Sequence, residues 1–242
     1  MATPDPDMGA PVADMAVPDP DAGDPPPPPM GDIFGGRIIR LAIAANPAAD
    51  GCRDLNNDNR ADNSLSLAAA LANDGLQGAV DDGSLNLLPT SIGLAAPGAN
   101  GEFDLALLTG NAGGAGYVVS ASSLDDMGNP RVIFGGTRIA AGQLTAGPGN
   151  FPVAIPVGGM DLALDITNAT ITGQAGIDAN GFFINNGVIS ASSPTTPWSR
   201  RWPTPTLPSR AGLLPPDING TGNSVCLTFT SAGVALDGFP VE

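Results

Sequence analysis

Asp161-Leu162-Ala163-Leu164-Asp165-Ile166-Thr167 alternates large apolar residues with polar or small ones at a period of two. Successive side chains of an extended chain point to opposite faces, so Leu162, Leu164 and Ile166 share one face and are expected to point into a core. Short β-type runs lie on both sides of this stretch. Residues 85–94, 103–108, 117–123, 131–139 and 151–157 precede it, a run at 162–172 contains most of it, and 182–192 and 225–234 follow. Gly, Asn, Pro and Asp separate the runs, as in GNAGGAG (110–116), DDMGNP (125–130), AGPGN (146–150) and DANG (178–181). IIRLAIAA (38–45) is β-branched and apolar and reads as the first strand. Short strands in close succession, divided by turn residues, predict a mainly β fold: an antiparallel β-sandwich-like domain. Phrases such as ITNATITG recur without fixed spacing, which disfavours a parallel solenoid.

One helix is expected. Leu65, Leu67, Ala68, Ala69 and Leu71 are closely spaced, Asp62, Asn63 or Ser64 can cap them, and Gly75 can end the run. The spacing therefore predicts a short helix over 64–73, directly after an Asp-rich loop, with a further turn at 76–80.

Composition supports this scarcity of helix. Gly (33) and Pro (25) are abundant, and the good helix formers Glu and Lys number two and none. All nine bases are Arg, 22 of the 24 acids are Asp, and the net charge is −15. No His means no Ser-His or Cys-His nucleophile pair, and no Lys means no Walker-type phosphate loop and no Schiff base. Two Cys without His do not make a Cys/His zinc site. So acidic a chain is not expected to bind nucleic acid.

Residues 1–30 hold ten Pro, six Asp and no base. Such a segment buries little and repels itself, so residues 1–31 are expected to form a disordered stalk, like the spacer after a cleaved leader in a surface-tethered protein. Residues 32–242 are expected to form a single β-rich domain. The best apolar stretch, 33–45, carries Arg37 and Arg40 and falls short of the roughly 18 residues of a membrane span. Cys52 and Cys226 lie near opposite ends of that domain, and an exported chain would pair them. The expected location is extracellular, cell-surface or periplasmic.

The strongest chemical signal is DLNNDNRADNSL (54–65). Asp54, Asn56, Asp58 and Asp62 put oxygen side chains at positions 1, 3, 5 and 9 of a loop, and Arg60 at position 7 offers its backbone carbonyl. Calcium takes about six to eight hard oxygens, which alternate carboxylates on a turning backbone supply. The pattern resembles the loops of EF-hand, dockerin and thrombospondin type 3 modules. Position 6 is Asn59 instead of Gly, a residue that tolerates the left-handed conformation, and position 12 is Leu65 instead of a bidentate Glu. The same residues also fit an ion-free Asp/Asn turn, with Arg53 and Arg60 balancing part of the charge. A fainter copy, Asp217-Ile-Asn219-Gly-Thr221-Gly-Asn223, precedes Cys226.

An Asp-rich loop beside each Cys, an Asp/Pro stalk, and LTAGPG (144–149), ITNATITG (166–173) and NNGVIS (185–190) between them resemble uncharacterised secreted lipoproteins of high-GC Gram-negative bacteria. That resemblance covers about residues 38–238 and implies an architecture, not an activity.

Residues 194–216 hold both Trp, three of the nine Arg and many Pro. They are expected to form a long strap, with Trp198, Arg200, Arg201 and Trp202 as a basic-aromatic cluster that either anchors the strap or contacts a partner protein or glycan. The whole is read as a calcium-stabilised structural or surface-interaction domain on a stalk. The alternatives are a carbohydrate-binding module using Trp198 and Trp202, and an Asp-dependent glycosidase-like enzyme. No enzyme activity is expected, since nothing marks a catalytic carboxylate pair.

Overall fold

The computed structural model describes residues 32–94, 101–157, 160–194 and 222–239. Ten strands and one α-helix follow in the order β1 (Ile33–Ile43), α1 (Ala69–Asp81), β2 (Leu87–Ile92), β3 (Gly101–Gly113), β4 (Gly116–Val119), β5 (Ile133–Ala140), β6 (Gln143–Val157), β7 (Met160–Asp178), β8 (Gly181–Pro194), β9 (Gly222–Val234) and β10 (Leu236–Asp237).

The expected sandwich does not form. The sheet order is β3-β2-β1-β9-β8-β7-β6-β5, and β5 pairs back onto β3, so eight antiparallel strands close into a barrel. A sandwich keeps two sheets with free edges, whereas β3 here is paired on both sides, through Leu105↔Ser91 and Leu105↔Phe134. Alternation along a strand is the same in both architectures, so the sequence pattern did not separate them. The strands are also longer than the runs suggested. AGPGN (146–150), read as a separator, lies inside β6 as an irregularity between Ala146 and Phe151. Such bulges bend and twist a strand, which helps a sheet curl closed.

The barrel is filled by side chains. Phe103 and Phe182 meet edge-on with ring centres 5.9 Å apart, and Phe134 and Phe151 at 6.1 Å. Ile38, Leu144, Ile171, Ile184, Leu227 and Phe229 join them in one buried cluster. Gly149 carries no side chain because the Phe134 ring lies where its Cβ would stand, 2.5 Å away. A second, smaller core of Leu88, Ala106, Leu108, Val119 and Leu124 sits where β4 and β10 fold over the outer face of β2 and β3.

One side of the barrel is closed by the helix. β1 pairs with β2 only over Ile33–Gly35, while its pairing to β9 continues to Ile43. Along the rest of that edge α1 takes the place of a strand, packing against β1 and β6. The Asn73 side chain accepts from the Ile43 N–H at 2.7 Å and donates to the Ile43 carbonyl at 3.1 Å. Gln77 accepts from the Leu41 N–H and donates to the Ile39 carbonyl. Arg37 locks the upper end: it donates to the Val80 carbonyl and to Asn86 Oδ1 and lies over the Tyr117 ring at 5.4 Å.

The helix differs from its expected range. Residues 66–68 form a 3₁₀ turn and α1 runs to Asp81, through Gly75 and Gly78. Both glycines lie on the exposed face, while Leu76, Ala79 and Val80 are buried, so packing carries the helix past a residue that would otherwise end it.

Candidate metal-binding loop

The Asp-rich loop is held at its neck by covalent and polar links. Cys52 and Cys226 form a disulfide with Cα atoms 5.9 Å apart. The Asp62 N–H donates to the Arg53 carbonyl at 3.0 Å, and the Arg53 N–H donates to Ser190 Oγ at 3.2 Å. Asn63, a buried residue, donates from Nδ2 to the Ala44 and Cys226 carbonyls and accepts from the Cys226 N–H. The loop therefore lies on the outer face of β8 and β9, opposite the barrel core.

Within the loop the chain wraps around one carboxylate. Asp54 Oδ1 accepts from the N–H groups of Asn56, Asn57 and Asp58, and Oδ2 accepts from Asn59 at 2.7 Å. Asn56 Oδ1 accepts from the Asp58 N–H, and Asp58 Oδ1 from the Arg60 N–H. Asp62 Oδ2 accepts from the Leu55 N–H at 2.7 Å. Asn57 and Asn59 adopt the left-handed conformation, with φ of +62° and +66°. Asn59, at position 6 of the loop, thus takes the left-handed conformation that an Asn tolerates. Arg53 turns away and donates from Nη1 to Thr170 Oγ1 at 3.1 Å.

The structure brings Asp54, Asn56, Asp58 and Arg60 into one loop, with Asp62 at its neck. Among the described residues, no three His, Cys, Asp or Glu side chains converge as a ready-made metal cluster. The oxygen-bearing groups of the loop are three carboxylates, one side-chain amide and the Arg60 backbone carbonyl, hard oxygens as a class.

Trp198, Arg200, Arg201 and Trp202 lie outside the described residues, as do the stalk and residues 217–221 of the second loop. Asn223, the last residue of that loop, is 7% exposed, and its Oδ1 has no hydrogen-bond partner among the described residues. The turn at Asp125 closes on itself: hydrogen bonding from the Asn129 backbone, above all, holds the Asp125 carboxyl below its ordinary range. At the rim where β1 begins, a shallow groove of about 250 Å³ is lined by Phe34, Asp178, Asn180, Leu236 and Phe239.

Sequence reasoning offered Asn63 only as a helix cap. Its larger role, fastening the loop to β9, depends on a partner 163 residues away, and its one local signal was position beside the Asp cluster.

No family model, no curated protein and no solved structure matches the chain.

Proposed function

We propose that this chain is an extracellular or cell-surface barrel domain with a structural or surface-interaction role, stabilised by calcium in loop 54–62. The observation that carries the reading is the winding of residues 54–59 around the Asp54 carboxylate, with left-handed Asn57 and Asn59. Side-chain oxygens of Asp54, Asn56, Asp58 and Asp62 and the Arg60 carbonyl are the donors available to the ion. Calcium would neutralise carboxylates of Asp54, Asp58 and Asp62 within a loop whose neighbouring Arg53 is turned toward Thr170. The Cys52–Cys226 disulfide supports an oxidising compartment.

Thermal melting of the oxidised protein in millimolar calcium, then in chelator, tests the site. Binding to the native state alone raises stability by about 2.7 kcal/mol when calcium exceeds Kd a hundredfold. The wild type should melt higher in calcium, and Asp58→Ala should not. An unchanged wild-type melting curve at millimolar calcium would leave an ion-free turn as the better account.

A further inference from the structure

We propose that the groove at the rim where β1 begins is a seat for a lysine side chain of a partner polypeptide, its ammonium on Asp178 and its four-carbon stem on the apolar walls. Close backbone approaches build the floor. A Cβ on Gly181 would overlap the Gly35 carbonyl, and one on Gly35 would overlap the Leu236 side chain. Without those side chains, the start of β1, the β7–β8 turn and the end of β9 meet around a recess of about 250 Å³. Ile33, Phe34, Leu236 and Phe239 give it apolar walls, each of them only partly buried.

Charge selects the occupant. Among the described residues that line the groove, Asp178 is the one acid and there is no base. Asp32 and Asp237, both exposed, flank the lining residues Ile33 and Leu236 in the chain. The net charge of the whole chain is −15. Such a groove attracts a cation that brings its own apolar arm. The chain contains no Lys, so a lysine ammonium has to come from another molecule.

The geometry favours Lys over Arg. Asp178 Oδ1 already accepts from the N–H groups of Asn180 at 2.8 Å and Gly181 at 3.2 Å, which closes the turn. Asp178 Oδ2 accepts no hydrogen bond among the described residues. A guanidinium fork pairs with both carboxylate oxygens, whereas an ammonium binds to one as a point charge. The Asn180 side chain, also in the lining, offers an amide oxygen as a second acceptor. Size favours a side chain over a free ligand. Small-molecule pockets run to roughly 300–1,000 Å³ and enclose most of their ligand, and this groove is smaller and shallow.

The proposal names a partner chemistry for the surface-interaction reading and rests on that part of it alone. Val234, in the lining, stands eight residues along β9 from Cys226, roughly 26 Å at strand spacing, so the seat is separate from the calcium loop. A calcium melting test that fails leaves it standing, and its own failure leaves the calcium site standing.

Amide chemical shifts of the isotopically labelled, oxidised full chain, titrated with the capped tripeptide Ala-Lys-Ala, test it. Saturable shifts should appear at Gly35, Gly181 and Leu236. The acetyllysine tripeptide, which keeps the stem and loses the charge, should bind about tenfold more weakly. Asp178→Asn, which keeps the turn acceptor and removes the charge, should weaken the Lys tripeptide by a similar factor, and the Arg tripeptide should bind the wild type less tightly than the Lys tripeptide. The proposal is overturned by the absence of saturable shifts at these amides, by acetyllysine or Arg binding as tightly as Lys, or by a folded Asp178→Asn that binds unchanged. The acetyllysine arm uses the wild type and decides the matter if the variant does not fold. n-Butylamine binding as tightly as the Lys tripeptide would make this a site for free amines and overturn the assignment to a polypeptide.

Discussion

Asn168 and Asn186 stand inside long strands with φ of +52° and +49°, a conformation that few residues other than Gly accept without strain. Each sits at a register shift, and each reverses which side chains face inward. Ile166 is buried before Asn168, and Ala169 and Ile171 after it; Phe182 and Ile184 are buried before Asn186, and Ile189 and Ala191 after it. Replacing Asn186 by Val should cost about 1–2 kcal/mol, the penalty of the left-handed region for a side chain branched at Cβ. Asn186→Gly should stay close to wild type, and urea unfolding of the two variants checks the difference. Here the limit of the sequence is visible. Alternation in 161–167 placed Ile166 inside correctly, but no local pattern announced that the count would slip one residue later. The Asp54-x-Asn56-x-Asp58 spacing was legible because every partner lies within five residues, whereas the Asn63–Cys226 link joins segments that only the closed fold brings together.

The helix shows the same division at the scale of an element. Its existence was legible from Leu65 to Leu71; its length was not, because Gly75 is a stop signal in isolation and an exposed, unburdened position in this packing. Its role as a wall was also hidden, since Asn73 and Gln77 look like ordinary polar residues until they meet the backbone of β1. Asn73→Leu removes the partner of both the Ile43 N–H and the Ile43 carbonyl. The expected loss is about 1–3 kcal/mol, the cost of leaving part-buried polar groups unpaired. Hydrogen exchange should show the Ile43 amide opening faster in the variant, ahead of amides in the β7–β8 ladder.

At the scale of the molecule, the disulfide ties the loop after the first strand to the last long strand of the barrel, across a sequence separation of 174. Linking positions so far apart restricts the unfolded chain most, by about 5 kcal/mol in the loop-closure model. Reduction, or Cys52→Ser with Cys226→Ser, should lower the denaturation midpoint accordingly while leaving the native circular dichroism in place. The mainly β class was evident from composition and turns. The closure was not, because it rests on β3 pairing with β5 across an intervening β4 flap, a contact that depends on bends within the strands.

The helix that stands in for a strand leaves the barrel with a hidden vulnerability. Among the described residues, the outward edge of residues 39–43 of β1 is bonded by two side-chain amides, those of Asn73 and Gln77. Were α1 to lift away, that edge would become a template on which a foreign extended peptide, or β1 of another molecule, could add itself in register. The same few amide contacts that complete the wall therefore also guard the protein against polymerisation.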